Sequence, residues 1–368
     1  MLPAQTLDSW ETDDDLCAAP AVSGVFLIEF SDGQPYFGRT ADLRKRLARL
    51  LAPQNEKSKR LNLRDVARTV RFQPTGSKFE SDWRLYQIAR AHRPEDYQRY
   101  LKLRRPPFLK VHLNNRFPRT FITTKLTATR ALFYGPFRSR AAAERFENAF
   151  LEFFGIRRCE ENLEPSADHP GCIYGEMNLC IRPCQAACSD DDYQREVGRL
   201  LRSLNTGGHS LVREIEEARD AASSEMEFEA AAKQHERLTK VKDALRLSDE
   251  LARDLDEFHG VVVQRSAEQS SVALTLLYKA SFQSTSVLNL QSDADRPVSL
   301  DAKVRELLES IDWVEAKPAE KSEHLALLRR WHFSSFRRGE YVPIESMDRI
   351  PFRKLVNAIS RVAAGRDR

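Results

Sequence analysis

The sequence predicts a multidomain α+β protein, and three observations carry that expectation. Its 368 residues are more than one ordinary core organises, so two or more domains are expected. The first hundred residues read as strand, strand, helix, strand, helix, which is a small mixed domain. Five of the six cysteines fall between 159 and 188, marking a looped segment with little core of its own.

Taken in order, residues 1–20 read as a loosely attached N-terminal tail. Residues 21–105 form the first domain. Val22 to Phe30 and Pro35 to Phe37 alternate as a hairpin around Asp32-Gly33. Asp42 is placed to cap a helix through Leu51, with Leu43, Leu47, Leu50 and Leu51 as its apolar stripe. Val70 to Gln73 is a short strand. Phe79 to Ala91 is a helix closed by His92-Arg93-Pro94. Residues 106–158 form an α/β connector: strands Phe108 to Leu113 and Thr120 to Lys125, a turn at Gly135-Pro136, and an amphipathic helix Arg138 to Phe154. The cysteine segment spans 159–190. Residues 191–255 are helical: Asp190 to Leu204, a break at Asn205 to Gly208, then a hairpin of Leu211 to Ser223 and Glu227 to Leu255. Residues 256–368 form a C-terminal α+β domain. Its strands are Val261 to Gln264, Val272 to Lys279 and Thr285 to Gln291. Its helices are Val304 to Ile311, His324 to Phe336 and a basic amphipathic Phe352 to Ala364.

Charged residues make up 30% of the chain and mean hydropathy is −0.53. No uncharged apolar window long enough to span a bilayer exists, which excludes a membrane role. Met1 to Asp15 has no basic or apolar leader and carries Glu11, Asp13, Asp14 and Asp15, so a cytoplasmic location is expected. The net charge of +4 is unevenly placed. Arg39 to Arg49, Lys57 to Arg71 and Lys102 to Arg119 are basic, whereas 214–229 is mostly acidic. A basic front on a near-neutral chain points to a polyanion partner.

The hairpin and the helix after it bring an aromatic hydroxyl and several guanidinium groups to one surface, which suits a phosphodiester. Gly24-Val25-Phe26 and Tyr36-Phe37-Gly38, followed by Arg39 and Leu43-Arg44-Lys45-Arg46, resemble the GIY-YIG nuclease domain. More narrowly, they resemble the domain that opens the UvrC excinuclease family of nucleotide excision repair. The resemblance implies Tyr36 and Arg46 as catalytic residues, with Arg46 on the scissile phosphate. Chemistry of this type uses a base to activate water, an arginine to offset transition-state charge, and a carboxylate that holds Mg2+ or Mn2+. The family's metal-binding glutamate position falls here on Leu85. The first motif's tyrosine is Phe26, and an asparagine expected after Pro94 is Tyr97. Asp82, three residues before Leu85 on the same helix face, is the nearest substitute carboxylate, and Glu80 lies farther round. The expectation is a domain that holds DNA, with incision weak or lost. Arg39, Arg44, Lys45, Arg49, Arg119 and Arg138 are the candidate DNA contacts, with Arg140 beside them.

Cys159, Cys172, Cys180 and Cys184 have a spacing that fits neither a zinc finger nor paired C-x2-C knuckles. Four thiolates suit zinc or an iron-sulfur cluster. Cys172-Ile-Tyr and Leu179-Cys-Ile-Arg-Pro-Cys184 resemble the UvrC cysteine region, which implies a [4Fe-4S] cluster, with zinc the alternative. Cys188 is a spare thiol on this reading. Glu225 to Leu238, with Phe228-Glu229-Ala-Ala-Ala, resembles the UVR motif, the helical hairpin through which UvrC and UvrB associate. That implies a UvrB-like helicase partner, with Phe228 and Glu229 at its contact. Small Ala218, Ala222, Ala231 and Ala232 would let the two helices approach closely.

The resemblance runs from residue 22 to about 255 in family order. UvrC continues into a ribonuclease-H-like nuclease and a helix-hairpin-helix module, and residues 256–368 are expected to be at most a remnant of the former. Asp293, Asp295 and Asp301 do not form a carboxylate set there. Three functions follow: a DNA- and UvrB-binding repair protein with little incision activity, an active metal-dependent excinuclease making a single-strand incision, or a structural adaptor.

Overall fold

A computed structural model describes residues 4–53, 61–291 and 299–366. The basic stretch at 57–60 and the Asp293/Asp295 loop lie outside the described residues. The fold is α+β, built on three antiparallel four-stranded sheets.

The first sheet is assembled from β1 (Gln5–Leu7), β2 (Gly24–Phe30), β3 (Tyr36–Thr40) and β4 (Ala67–Pro74), in the order β1-β4-β2-β3. Its helices are α1 (Asp13–Cys17), α2 (Leu43–Leu51), α3 (Lys78–His92) and the single turn α4 (Tyr97–Tyr100). Residues 4–20 are not the loose tail expected. β1 pairs with β4, Thr12 closes a capping box on α1, and Leu7, Leu16 and Ala19 are buried among the α2 leucines. Trp10 and Arg64 exchange hydrogen bonds with each other's backbone carbonyls, which pins the segment down. The Asp42 side chain accepts from the Lys45 N–H and starts α2 as its sequence predicted, with Leu43, Leu47, Leu50 and Leu51 all buried.

The second sheet contains β5 (Phe108–His112), β6 (Thr120–Thr123), β7 (Ala131–Gly135) and the short β8 (Arg253–Asp254), ordered β6-β5-β7-β8. Against it pack α5 (Arg140–Leu151) and α7 (Asp190–Asn205), with the turn α6 (Ile173–Glu176) between them. The hairpin α8 (His209–Ser224) and α9 (Phe228–Arg246) follows. The second hairpin helix was expected to reach Leu255 but stops at Arg246. The Asp249 carboxylate accepts both the backbone N–H and the guanidinium of Arg138, and the chain turns back to pair β8 with β7.

The third sheet has β9 (His259–Arg265), β10 (Ser271–Tyr278), β11 (Ser281–Asn289) and β12 (Glu340–Ile344), ordered β11-β10-β9-β12. Its helices are α10 (Leu300–Glu309), α11 (Pro318–His332) and α12 (Phe352–Ala363). α11 begins six residues earlier than its apolar pattern suggested, with Pro318 at its first turn, and ends at His332. β12 escapes sequence detection because it is short and carries Pro343, which an edge strand tolerates.

One core joins α3 to the second and third sheets. Phe79, Trp83 and Tyr86 of α3 pack with Phe108 and Phe133 of the second sheet and with Phe282, Leu325, Leu328 and Trp331 of the C-terminal part. The opposite side of α3, Leu85, Ile88 and Ala89, packs on Val25, Leu27 and Phe37. α3 is therefore sandwiched, apolar on both sides, rather than amphipathic.

Candidate functional site

Strand alternation sorts the first domain's residues onto two faces. Phe26, Ile28, Tyr36 and Gly38 face α2; Val25, Leu27, Phe37 and Arg39 face α3. Two glycines of the hairpin are fixed by close approach. A Cβ on Gly24 would sit 2.4 Å from the Gln73 carbonyl oxygen and 2.6 Å from Leu43. A Cβ on Gly38 would press on the Phe26 ring at 3.2 Å.

On the α2 face, Arg46 Nη2 donates to the Tyr36 hydroxyl at 2.6 Å. The same guanidinium lies 5.7 Å from the centroid of the buried Phe26 ring. Tyr36 and Phe26 rings are 6.0 Å apart. The structure thus joins the two residues singled out in the sequence, held from below by an apolar ring. Tyr100, from α4, comes in at the sheet edge: its hydroxyl donates to the Phe37 carbonyl oxygen, and burial, then the nearby Tyr36, raise its pKa.

The α3 face carries the carboxylates, and they are engaged. Asp82 is buried and makes ion pairs with Arg39 (3.1 Å), Lys78 (3.6 Å) and Arg330 of α11 (3.5 Å). Glu80 accepts the Gly76 N–H at 2.9 Å, and its burial raises its pKa. Leu85 is part of the sheet–helix core. Tyr97, at the expected asparagine position, donates to Glu323 of α11, as do Tyr86 and Gln98. Neither Glu323 nor Arg330 was marked by the sequence. Each sits on a helix far along the chain, and only the docking of α11 on α3 brings it here. Among the described residues, no three His, Cys, Asp or Glu side chains are gathered to hold one metal ion.

The candidate DNA contacts occupy different settings. Lys45 and Arg49 are exposed on α2, with Lys45 3.8 Å from Asp42. Arg44 donates to the carbonyls of Ala19 and Cys17, which ties α2 to the α1 segment. Arg39 is paired to Asp82. Arg119 lies over the Phe121 ring and 3.5 Å from Glu160. Arg138 is bound to Asp249 and stacks on Phe333, and Arg140 pairs with Glu144.

Cys180 and Cys184 are buried; Cys159 and Cys172 are half-buried. The four lie within electrostatic reach of one another. Burial first, and then Cys159, Cys172 and Cys184, push the Cys180 thiol up to about 11. Donors point at the sulfurs: the Arg182 N–H lies 3.4 Å from Cys180 Sγ and Arg157 Nη1 3.8 Å from Cys159 Sγ. Asn178, Arg182 and Ala186 all adopt left-handed backbone, a strained loop path for residues with a Cβ. Arg158 has two buried guanidinium nitrogens, Nε and Nη2, without a hydrogen bond, and its guanidinium lies 5.6 Å from the centroid of the Tyr174 ring. Cys188 lies beside Asp190 and Asp192, which with burial disfavour its thiolate.

The hairpin α8–α9 is packed at its base and open at its tip. Leu211, Ile215, Leu238, Val241 and Ala244 join the core of the second sheet. Beyond them Ala222 and Ala231 are half-buried, while Ala218 and Ala232 are exposed. Phe228 opens α9 at the tip and is 71% exposed, next to Met226 at 76%. Glu229 is exposed beside them.

Residues 107–203 match the family model described as "UvrC/Cho excinuclease, middle domain". The UvrABC system protein C of Dehalococcoides mccartyi is 22% identical over 273 residues, covering 74% of this chain and 44% of that protein. That of Alkaliphilus metalliredigens is 21% identical over 367 residues, 96% of this chain and 58% of that protein. That of Lachnospira eligens is 25% identical over 251 residues, 67% and 40% respectively. The chain spans about half the length of the curated relatives it matches. No solved structure matches it.

Proposed function

We propose that this UvrC-like chain serves nucleotide excision repair by holding DNA and docking a UvrB-like helicase subunit, with incision by its N-terminal domain weak or lost. The observation that carries this reading is the separation of charges across the first sheet. Tyr36 and Arg46 share the α2 face, while Asp82 of α3 lies on the other and is occupied by three cations. A guanidinium fixed at 2.6 Å from a phenol can hold a phosphate oxygen. A divalent ion would have to displace three fixed positive charges to reach Asp82, which disfavours metal-assisted cutting. Arg46, Lys45 and Arg49 on exposed α2 supply the phosphate contacts of this domain. Arg39, Arg119 and Arg138 contribute through the guanidinium surface their carboxylate partners leave open.

The cysteines are the proposed cofactor site. Cys159, Cys172, Cys180 and Cys184 would hold a [4Fe-4S] cluster, with zinc the alternative. The group would supply folding free energy to a segment poor in apolar core. N–H donors beside the sulfurs, from the Arg182 backbone and the Arg157 guanidinium, favour thiolates.

For the partner, the exposed Phe228 on a protruding helical tip is a suitable anchor for a hydrophobic pocket, with Glu229 and its acidic neighbours as rim. The test of the whole reading is a pair of assays on the full chain. Duplex binding should fall steeply with salt, and supercoiled plasmid should stay uncut with Mg2+ or Mn2+. Metal-dependent nicking that Arg46→Ala abolishes would overturn the loss of incision, and absence of duplex binding would overturn the DNA role.

A further inference from the structure

A second concentration of positive charge on the described surface lies beyond the α2 face of the hairpin. A cavity of about 700 Å³ opens at the seam between the 102–107 link, the start of α5 and the end of α11. Seven cations line it: Lys102, Arg104, Arg105, Arg138, Arg140, Arg329 and Arg330. No carboxylate is among its described lining residues. Three carboxylates stand behind the lining, Asp249 on Arg138, Glu144 on Arg140 and Asp82 on Arg330, which leaves a formal excess of four positive charges (7 − 3). The N-terminus of α5, a 12-residue helix capped by Ser139, opens on the same wall and adds the positive end of its dipole.

The fold goes to some length to keep these like charges together. Arg329 is anchored by donating to the carbonyls of Arg138 and Arg104, and Arg330 to that of Leu101. Arg329 stays there although burial and the nearby Arg104 both disfavour its charge. The walls come from three places in the sequence, so the cluster exists only because α11 docks beside the connector. Guanidinium groups crowded in excess of their counter-charge are complementary to closely spaced anions, and guanidinium planes match phosphate geometry bidentately. Leu103, Pro107 and Phe333 interleave with the cations, the pattern of a groove that also meets sugar and base surfaces.

We propose that this seam is a second nucleic-acid groove, which binds the phosphodiester backbone of a strand held by the chain. It rests on the DNA role proposed above and adds a site to it that depends on the C-terminal part. The lining residues to vary are Lys102, Arg105 and Arg140, because Arg138 and Arg330 pair with buried carboxylates and Arg329 supports neighbouring backbone, whereas Glu144, the partner of Arg140, is solvent-exposed.

The experiment measures binding of a fluorescent duplex and a single strand of equal length across a salt series. It compares the full wild-type chain with the triple variant Lys102→Gln/Arg105→Gln/Arg140→Gln, whose thermal melt verifies folding. The expected result is at least about tenfold weaker binding of one of the two probes. The slope of log affinity against log salt should flatten by roughly two to three units on the duplex, or somewhat less on the single strand. Whichever probe loses more identifies the strand form. Wild-type binding that the triple variant retains with an unchanged slope overturns the groove while leaving the DNA role standing. A wild-type chain that binds neither probe overturns both. If an acidic polypeptide binds the wild-type chain more tightly than either probe and loses that affinity in the variant, the groove is a protein site and the proposal fails. As a further readout, Lys102 should be protected from amine acetylation by bound oligonucleotide, and an unprotected Lys102 counts against the groove.

Discussion

Arg46 reaches across from α2 to donate a hydrogen bond to the hydroxyl of Tyr36 at 2.6 Å, on the face of the sheet that packs against α2. The nearest acidic group on α3, Asp82, sits on the other face beneath Arg39, Lys78 and Arg330. That division of the domain generates the first two predictions.

Leu85→Glu should fail to create a nuclease. Leu85 is packed with Val25, Leu27, Phe37 and Ile88, so a glutamate there buries a carboxylate without a partner. The expected cost is about 2–4 kcal/mol, read as a lowered midpoint in urea. Plasmid should remain uncut with Mg2+ or Mn2+. Nicking restored by this single change would show that a metal can reach the helix after all.

Asp82→Ala should separate stability from DNA affinity. The substitution leaves three cations without their shared counter-charge, and because those partners are partly exposed the loss should be modest, about 1–2 kcal/mol. The same change raises the positive charge of the surface, so duplex binding at low salt should tighten by a few-fold. A loss of metal-dependent cutting on Asp82→Ala would instead identify Asp82 as a ligand.

The histidine contribution to stability should fall as pH drops from about 6.5 toward 4. His324 and His259 are held down to about 4, chiefly by burial, so between those values the unfolded chain binds protons that the folded chain refuses. Their stabilising contribution is complete above 6.5 and is lost as pH falls toward 4. Asp254, raised to about 6 by burial, acts in the opposite sense, favouring the fold below its unfolded value of 3.8 and losing that contribution as pH rises through 6. His332, also lowered by burial, adds to the two histidines, while Glu80 and Glu147, raised by burial, act with Asp254, so substitution of a histidine isolates its part. His324→Gln retains a side-chain acceptor for the Phe282 N–H and should flatten the profile of urea midpoint against pH by about one proton.

Chain purified without oxygen should carry broad visible absorbance and bound iron if the four cysteines hold a cluster. Cys180→Ser and Cys184→Ser should lose both signals, and Cys188→Ser should keep them. Zinc without visible absorbance would establish the alternative. In metal-free protein Cys180 should resist alkylation at pH 8, because burial keeps its thiol protonated up to about 11.

Phe228→Ala should leave the thermal midpoint unchanged, since the ring is 71% exposed. Binding of the chain to a UvrB-like helicase subunit should weaken by at least about tenfold, the loss typical of a central aromatic anchor. Unaltered binding would remove the hairpin tip from the interface.

Most local structure was legible because it is set by neighbours in sequence. The Asp42 cap, the four leucines of α2 and the β2–β3 hairpin follow from short-range pattern, as do the three-strand meander of the last sheet and the exposed tip at Phe228. The strands β1, β7, β8 and β12 were not legible, since each is short and is stabilised by a partner distant in the chain. The early end of α9 depends on Asp249 meeting Arg138 more than a hundred residues away.

By itself the sequence determined the α+β class, the candidate pair Tyr36 and Arg46, a leucine at position 85 where the family resemblance calls for a carboxylate, and the grouping of the cysteines, because residue types and their spacing are one-dimensional facts. Only the tertiary structure decided that Asp82 is neutralised, that Glu323 gathers Tyr86, Tyr97 and Gln98, and that seven cations meet at one seam. All three depend on α11 docking against α3 and the connector. The force behind that docking is burial of Phe79, Trp83, Phe282, Leu325 and Trp331 in one shared core. Such burial has no direction along the chain, so no local pattern announces which charges it will carry together.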